Sequence, residues 1–242
     1  MDKVMRPVAK KLIQADDVRA KLAELRKNIL KACVKRGRKS EEVRILIVTR
    51  GRTVPEIREL VDAGCRLFGE NRVQEGIQKL SFFGPDIEWH LVGHLQSVKA
   101  KAAIQSFALI HTVDSLRIGF DLQSAYEKLG REANILVQVN TSGIETHFGV
   151  LPSETMNLIR ELVKFPHVHI KGLMVDVPQV DDPEMTRPWF RALRELRDKI
   201  RKAAIKGVEM QWLSMGTSQD YMVAVEEGSN IIRITSPIFE DE

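Results

Sequence analysis

Along this chain, short β-branched and aliphatic runs alternate with longer stretches whose apolar positions recur every three or four residues. The clearest run is Arg44-Ile-Leu-Ile-Val48, apolar on successive positions and so expected to be a strand covered on both faces. Before it, Val18, Leu22, Leu25, Ile29 and Cys33 keep a helical spacing. That predicts a helix over 16–36, opened by Asp16 or Asp17 and closed at Gly37. Further strands are expected at 66–69, 87–92, 108–113, 134–140, 168–175, 210–215 and 230–235. Between them, helices are expected at 54–63, 73–82, 97–106, 115–129, 152–164, 184–204 and 219–227, with an interruption near Pro188. Eight strands separated by helices point to one (β/α)8 barrel domain over 1–242, with 1–15 as an N-terminal extension. Only seven helices follow strands, so the helix at 16–36 is expected to complete the outer ring. A doubly wound open sheet is the alternative.

Composition narrows the class. The chain has 242 residues, 43% of them hydrophobic, enough for a sizeable core. No apolar run approaches the ~18 residues of a membrane span, and the N-terminus has no apolar signal core. Two cysteines, Cys33 and Cys65, in no metal spacing suit a reducing compartment, so a cytoplasmic protein is expected. The net charge of +4 hides an asymmetry. Residues 1–52 carry 16 Lys and Arg against 6 Asp and Glu, and the rest carry 21 against 27. A basic arm of this kind attracts nucleic acid or an acidic partner. Without interleaved aromatic residues for base stacking it reads instead as a solvated helix face, and nucleic acid is not the expected ligand.

In a barrel, chemistry gathers at the carboxyl ends of the strands. Those ends deliver Thr49, Arg50 and Arg52; Glu70 and Asn71; His90, Gly93 and His94; Asp114; Asn140; Asp176; Ser214, Gly216, Thr217 and Ser218; and Arg233, Thr235 and Ser236. The set is polar, basic, and rich in small hydroxyl residues near the last two strands, where such barrels often hold phosphate. Backbone N–H groups at the start of the helix after 213–218 would add to that cup. His90 and His94 have i, i+4 spacing but straddle a strand end, so no metal site is expected.

The motifs Gly-Glu-Asn-Arg-Val-Gln-Glu (69–75), Trp-His-Leu-Val-Gly-His-Leu-Gln-Ser (89–97), Val-Gln-Val-Asn-Thr-Ser-Gly (137–143), Leu-Ser-Met-Gly-Thr-Ser (213–218) and Ile-Arg-Ile (232–234) resemble the pyridoxal phosphate homeostasis protein family. The resemblance runs in order from about Arg36 to Phe239. It implies a single barrel of the alanine-racemase N-terminal type that binds pyridoxal 5′-phosphate (PLP). It also implies a cytoplasmic and often monomeric protein, with no robust enzymatic activity of its own and an influence on vitamin B6 and amino-acid pools.

The departures from the family pattern bear most on function. Family members end the first strand in Ala-Val-Ser-Lys-Thr-Lys-Pro, whose first lysine forms the covalent imine with the cofactor. Arg50 holds that place here. A guanidinium stays protonated, with a pKa above about 12, and forms no imine, so covalent attachment at position 50 is excluded. Arg72 replaces a tyrosine, Val98 an asparagine, Thr217 a methionine, and Thr235 a glycine whose added side chain would crowd a phosphate. The usual Phe-Gly-x-Arg tail is Phe239-Glu-Asp-Glu. What the resemblance leaves is a noncovalent site. Arg233 would face the pyridine nitrogen, and Ser214, Gly216, Ser218 and Thr235 would surround the phosphate. Asn71 and His90 would lie nearby, and Arg50 would be at the mouth.

Three functions compete. One is a homeostasis-type binding or regulatory protein holding PLP or another small phosphorylated molecule noncovalently. A second is an enzyme with an arginine-based anion site, although His90 as general base lacks an orienting partner in the sequence. The third is a pseudo-enzyme scaffold that contacts a protein partner through its basic N-terminal helix. Against all three stands a bland alternative, in which the mouth arginines simply pair with Glu70, Asp114 or Asp176.

Overall fold

The computed structural model of the chain describes residues 13–239. Eight parallel strands close into a barrel in sequence order: β1 (Arg44–Val48), β2 (Leu67–Glu70), β3 (Glu88–Leu91), β4 (Leu109–Val113), β5 (Ala133–Gln138), β6 (Val168–Met174), β7 (Val208–Thr217) and β8 (Ile231–Ile234). Closure is made by β8 on β1, with Ile45 opposite Ile232 and Leu46 opposite Arg233. An open doubly wound sheet is thereby excluded.

The outer helices are α1 (Ala15–Val34), α2 (Val54–Asp62), α3 (Val73–Leu80), α4 (Ala100–Ser106), α5 (Leu116–Leu129), α6 (Pro152–Leu162), α7 (Arg187–Lys202), α8 (Tyr221–Glu226) and α9 (Ser236–Phe239). α1 packs against α8, α2 and α9 and fills the eighth outer position. It does so because Val18, Leu22, Leu25, Ile29, Ala32 and Cys33 form one buried stripe. Each fully buried large aliphatic side chain contributes about 1.5–3 kcal/mol. The expected extension at 1–15 lies outside the described residues as far as residue 12, and the acidic tail lies outside them from residue 240.

Two helices differ from the sequence pattern for local reasons. The stretch 184–204 begins as a 3-10 turn over Pro183–Thr186, and the α-helix starts only at Arg187. Pro188 then occupies the first turn, where its missing N–H costs nothing. The helix expected at 219–227 is only Tyr221–Glu226, because β7 runs on to Thr217 with a register shift against β8.

Strand alternation divides the core. Outward residues such as Ile47, Phe68, Leu91 and Leu173 pack beneath the helices. Inward ones, Leu46, Val48, Leu67, Leu109, Leu136, Met174 and Ile231, form a separate plug inside the barrel. Gly69 makes room for it, since a Cβ there would lie 2.3 Å from Leu46 Cδ2.

Candidate functional site

The turn after β1 is built tightly. Thr53 caps α2 in a reciprocal box: its Oγ1 accepts from Glu56 N, and Glu56 Oε2 accepts from Thr53 N at 2.7 Å. Gly51 takes φ +71°, and its N–H donates to Glu75 Oε1 at 2.8 Å. Lys79, reaching from α3, donates to Thr49 O at 2.6 Å, Glu70 Oε1 at 2.6 Å and Glu75 Oε1 at 2.8 Å. An ammonium has three N–H groups, and these contacts account for all of them. The lysine tied to the end of β1 therefore serves as a buried strut with no free amine.

The turn held in this way presents Arg50. A cavity of about 220 Å³ at the barrel mouth is lined by Val48, Arg50, Asn71, Thr217, Arg233 and Thr235, among others. A second cavity of about 310 Å³ adjoins it, sharing Arg50, Asp176, Thr217 and Thr235 and adding Ser218 and Asp220. Among the described residues, no lysine lines either cavity. Arg50 makes no hydrogen bond or ion pair among the described residues. Arg52 and Arg233 at this end behave differently. Arg52 pairs with Glu56 at 3.4 Å and lies over the Phe239 ring, and Arg233 pairs with Asp176 at 3.2 Å. Glu70 is taken by Lys79 and by the Thr49 hydroxyl, and Asp114 lies 3.8 Å from His94.

The turn after β7, expected to cup a phosphate, satisfies part of its own hydrogen-bonding capacity. Asp220 Oδ1 accepts from Thr217 N at 2.6 Å and Thr217 Oγ1 at 3.1 Å. Ser218 Oγ accepts from Thr235 N at 3.0 Å. Burial pushes the Asp220 carboxyl above its ordinary range. Gly216 is at φ +94°, and a Cβ there would lie 2.5 Å from that of Ala224, so this turn has no room for a side chain.

Beneath the cavity runs a feature that strand-end reasoning missed. Arg233 Nη1 donates to Ser214 O at 3.0 Å and Ser214 Oγ at 3.1 Å, while Nη2 donates to Val175 O at 2.9 Å and Asp176 Oδ1 at 3.2 Å. Ser214 Oγ lies 2.9 Å from His111 Nδ1, His111 Nε2 lies 2.9 Å from His90 Nδ1, and His90 Nε2 lies 2.7 Å from Glu88 Oε1. Arg44 donates to both Glu88 oxygens, at 3.2 and 2.6 Å. The polar thread thus crosses the barrel from the mouth to the amino ends of the strands.

Its direction follows from its ends. A guanidinium can only donate and an ionised carboxylate can only accept. The hydrogen bonds from Ser214 to His111, from His111 to His90 and from His90 to Glu88 must therefore all run toward Glu88. Ser214 donates to His111 Nδ1, and each imidazole carries its proton on Nε2. That assignment needs both rings neutral, and burial holds both below the ordinary histidine value, His111 well below it. The His90 hydrogen bond, opposed by burial and helped by Arg44, takes Glu88 down to about 2.

Of the sequence-derived candidates, Arg50, Asn71, Arg233 and Thr235 line the first cavity and Ser218 the second. Ser214 is fully buried under Arg233, and His90 reaches the cavity only through His111, Ser214 and Arg233. The residues missed, Arg44, Glu88 and His111, share one signal: a polar residue at an inward position of a barrel strand. The described residues contain no group of three His, Cys, Asp or Glu side chains arranged to hold a metal. No helix in the described residues is long and apolar enough to cross a membrane.

Residues 21–235 match the family described as alanine racemase, N-terminal domain. A pyridoxal phosphate homeostasis protein of Aquifex aeolicus is 37% identical over 222 residues, covering 90% of this chain and 96% of that protein. The Escherichia coli protein of the same name is 32% identical over 228 residues, 93% of this chain and 96% of its own. Among solved structures, PipY of Synechococcus elongatus superposes with a TM-score of 0.82 without PLP and 0.80 with PLP bound. PipY is 32% identical, and the match covers 92% of this chain and 100% of PipY. Alanine racemase of Clostridium difficile, at 19% identity and a TM-score of 0.75, shares the fold over 59% of its length. The barrel, its motif order and these relatives place the chain in the pyridoxal phosphate homeostasis protein family.

Proposed function

We propose that this chain is a regulatory PLP-binding protein that holds the cofactor at the barrel mouth without a covalent bond. The observation that carries the reading is Arg50, unpaired among the described residues and lining both mouth cavities, with no lysine in either lining. Support for the ligand comes from the family and from PipY, solved with PLP bound. The residues fit such a group. Asn71 Oδ1, in the lining of the first cavity, is buried with no hydrogen-bond partner. Arg50 offers an uncommitted planar fork to an anionic group.

PLP supplies an aldehyde and an electron-withdrawing pyridine ring, and a lysine-free pocket can bind and release it but not tether it. The four Nη hydrogens of Arg233 are all engaged. Arg233 would hold the pyridine nitrogen with the fork now paired to Asp176, which is 59% exposed and can turn to solvent. Ser214, with His111 and His90 behind it, fixes the orientation of Arg233. Ser218, Thr235 and the Gly216 turn would hold the phosphate, and the Thr235 N–H, donated here to Ser218, would be a donor available to it. A small phosphorylated molecule related to PLP suits the same contacts. The protein acts as a cytoplasmic monomer in this reading.

The test is a PLP titration followed by ultrafiltration, borohydride treatment and intact mass measurement. Saturable binding that washes out, with no mass increment after borohydride, is expected, and Arg50→Ala weakens it. An adduct on any lysine would overturn the noncovalent reading, and absence of binding would overturn the ligand.

A further inference from the structure

The positive charge that the sequence concentrates in residues 1–52 does not all spread over a solvated face. Just past α1, Arg36 and Arg38 flank Gly37, at φ +61°, and line a depression of about 430 Å³ with Arg194, Arg197 and Arg201 of α7. Gln211 early in β7 and Asn230 just before β8 complete it. It therefore lies at the amino ends of the strands, on the opposite end of the barrel from the mouth.

Part of this charge is structural. Arg38 donates to Val225 O at 2.6 Å and Ser229 O at 2.9 Å. Arg36 and Arg194 reach the buried Glu227 at 3.5 and 2.8 Å, a carboxylate that also takes Arg187 and Arg191. The remainder is not compensated. Arg201 has no hydrogen bond or ion pair among the described residues, and Arg197 has only its chain neighbour Asp198. Only two carboxylates line the depression, Glu42 and Glu226, and Glu226 is already taken by Lys35 and Arg187. Burial first, then the like charges of Arg201 and Arg38, pushes the Arg197 guanidinium below its ordinary value, against the pull of Asp198. A bound anion would relieve that strain.

We propose that this depression is a second anion site, independent of the mouth, which takes a compact oligophosphate, either free or as the phosphate tail of a nucleotide. Several planar forks converging on one concave space suit the many oxygens of adjacent phosphoryl groups. No aromatic side chain lines the depression to stack a base, so a single-stranded nucleic acid is not the ligand it fits.

The experiment is isothermal titration of the full chain with inorganic tripolyphosphate at low and physiological salt. Binding at one site, weakened by salt, is expected. Arg201→Glu, an exposed change in the last turn of α7, lowers affinity about tenfold or more. Arg197→Gln lowers it in the same direction. Arg117→Glu, the same charge change on exposed α5, leaves it unchanged. Competition with ATP and with adenosine separates the sources. Displacement by ATP but not by adenosine shows that a nucleotide's tail is read, and displacement by neither shows a free oligophosphate. No heat, or equal losses in Arg201→Glu and Arg117→Glu, would each overturn the proposal. Because the probe is not PLP, a failure of PLP binding leaves this result unaffected.

Discussion

Replacing His111 with glutamine tests whether the polar thread through the barrel holds its imidazoles neutral. His111 is fully buried between Ser214 Oγ and His90 Nδ1, each at 2.9 Å. Burial, then the charges of His90 and Arg233, hold it well below the ordinary histidine value of 6.5. Burial lowers His90 too, against the pull of Glu88. In the unfolded chain both rings titrate near 6.5, so below that pH the unfolded state takes up protons that the folded state refuses. Stability is therefore complete above the unfolded value and declines as pH falls, by at most about 1.4 kcal/mol per histidine per pH unit. Glu88, depressed to about 2, adds a loss of the same sign only below its unfolded value of 4.5. Asp220 and Glu70, both raised by burial, contribute with the opposite sign. Their contributions are common to both proteins and cancel in the difference between wild type and variant.

Urea unfolding of the two proteins, from pH 8 down to pH 5, is the assay. At pH 8 the variant is less stable by about 1–3 kcal/mol, because an amide replaces two buried hydrogen bonds imperfectly. Below pH 6.5 the gap narrows by up to about 1.4 kcal/mol per pH unit, since only the wild type carries the His111 proton penalty. A gap independent of pH would refute the neutral assignment and with it the direction of the thread.

Arg50→Lys places a primary amine on the pinned turn, and it should yield a borohydride-fixed PLP adduct at position 50 that the wild type lacks. Mass spectrometry of the digest decides, and no adduct would show that the cavity cannot seat PLP near that position. Glu227→Ala removes a carboxylate 1% exposed that gathers Arg36, Arg187, Arg191 and Arg194. Stability should fall by about 1–3 kcal/mol, because a buried carboxylate and its hydrogen bonds to partly exposed guanidinium groups are lost. A loss under about 1 kcal/mol in denaturant melts would mean that solvent already screens the cluster.

Much of the architecture was legible in the order of apolar runs. Val18, Leu22, Leu25, Ile29 and Cys33 announce α1 because a helix must bury one stripe, and the Arg44–Val48 run announces a doubly covered strand. The site was legible as far as strand ends can show it. Arg50, Asn71, Arg233 and Thr235 do meet at one cavity. His90 could be placed at the end of its strand but not assigned to the barrel interior below the cavity. Its partners lie on β3, β4 and β7, and no spacing along the chain records which inward residues face one another across a barrel.

The sequence by itself determined the period of each segment and the charge at position 50, since both are properties of covalent neighbours and of side-chain chemistry. Only the tertiary structure decided that Lys79 is consumed by Thr49, Glu70 and Glu75, that Arg233 is anchored through Ser214 to two neutral histidines, and that five arginines from α7 and the turn after α1 share one depression. Those outcomes depend on hydrogen bonds and charge pairs between residues up to 191 positions apart. Their geometry exists only once the barrel has closed and burial has removed the competing water.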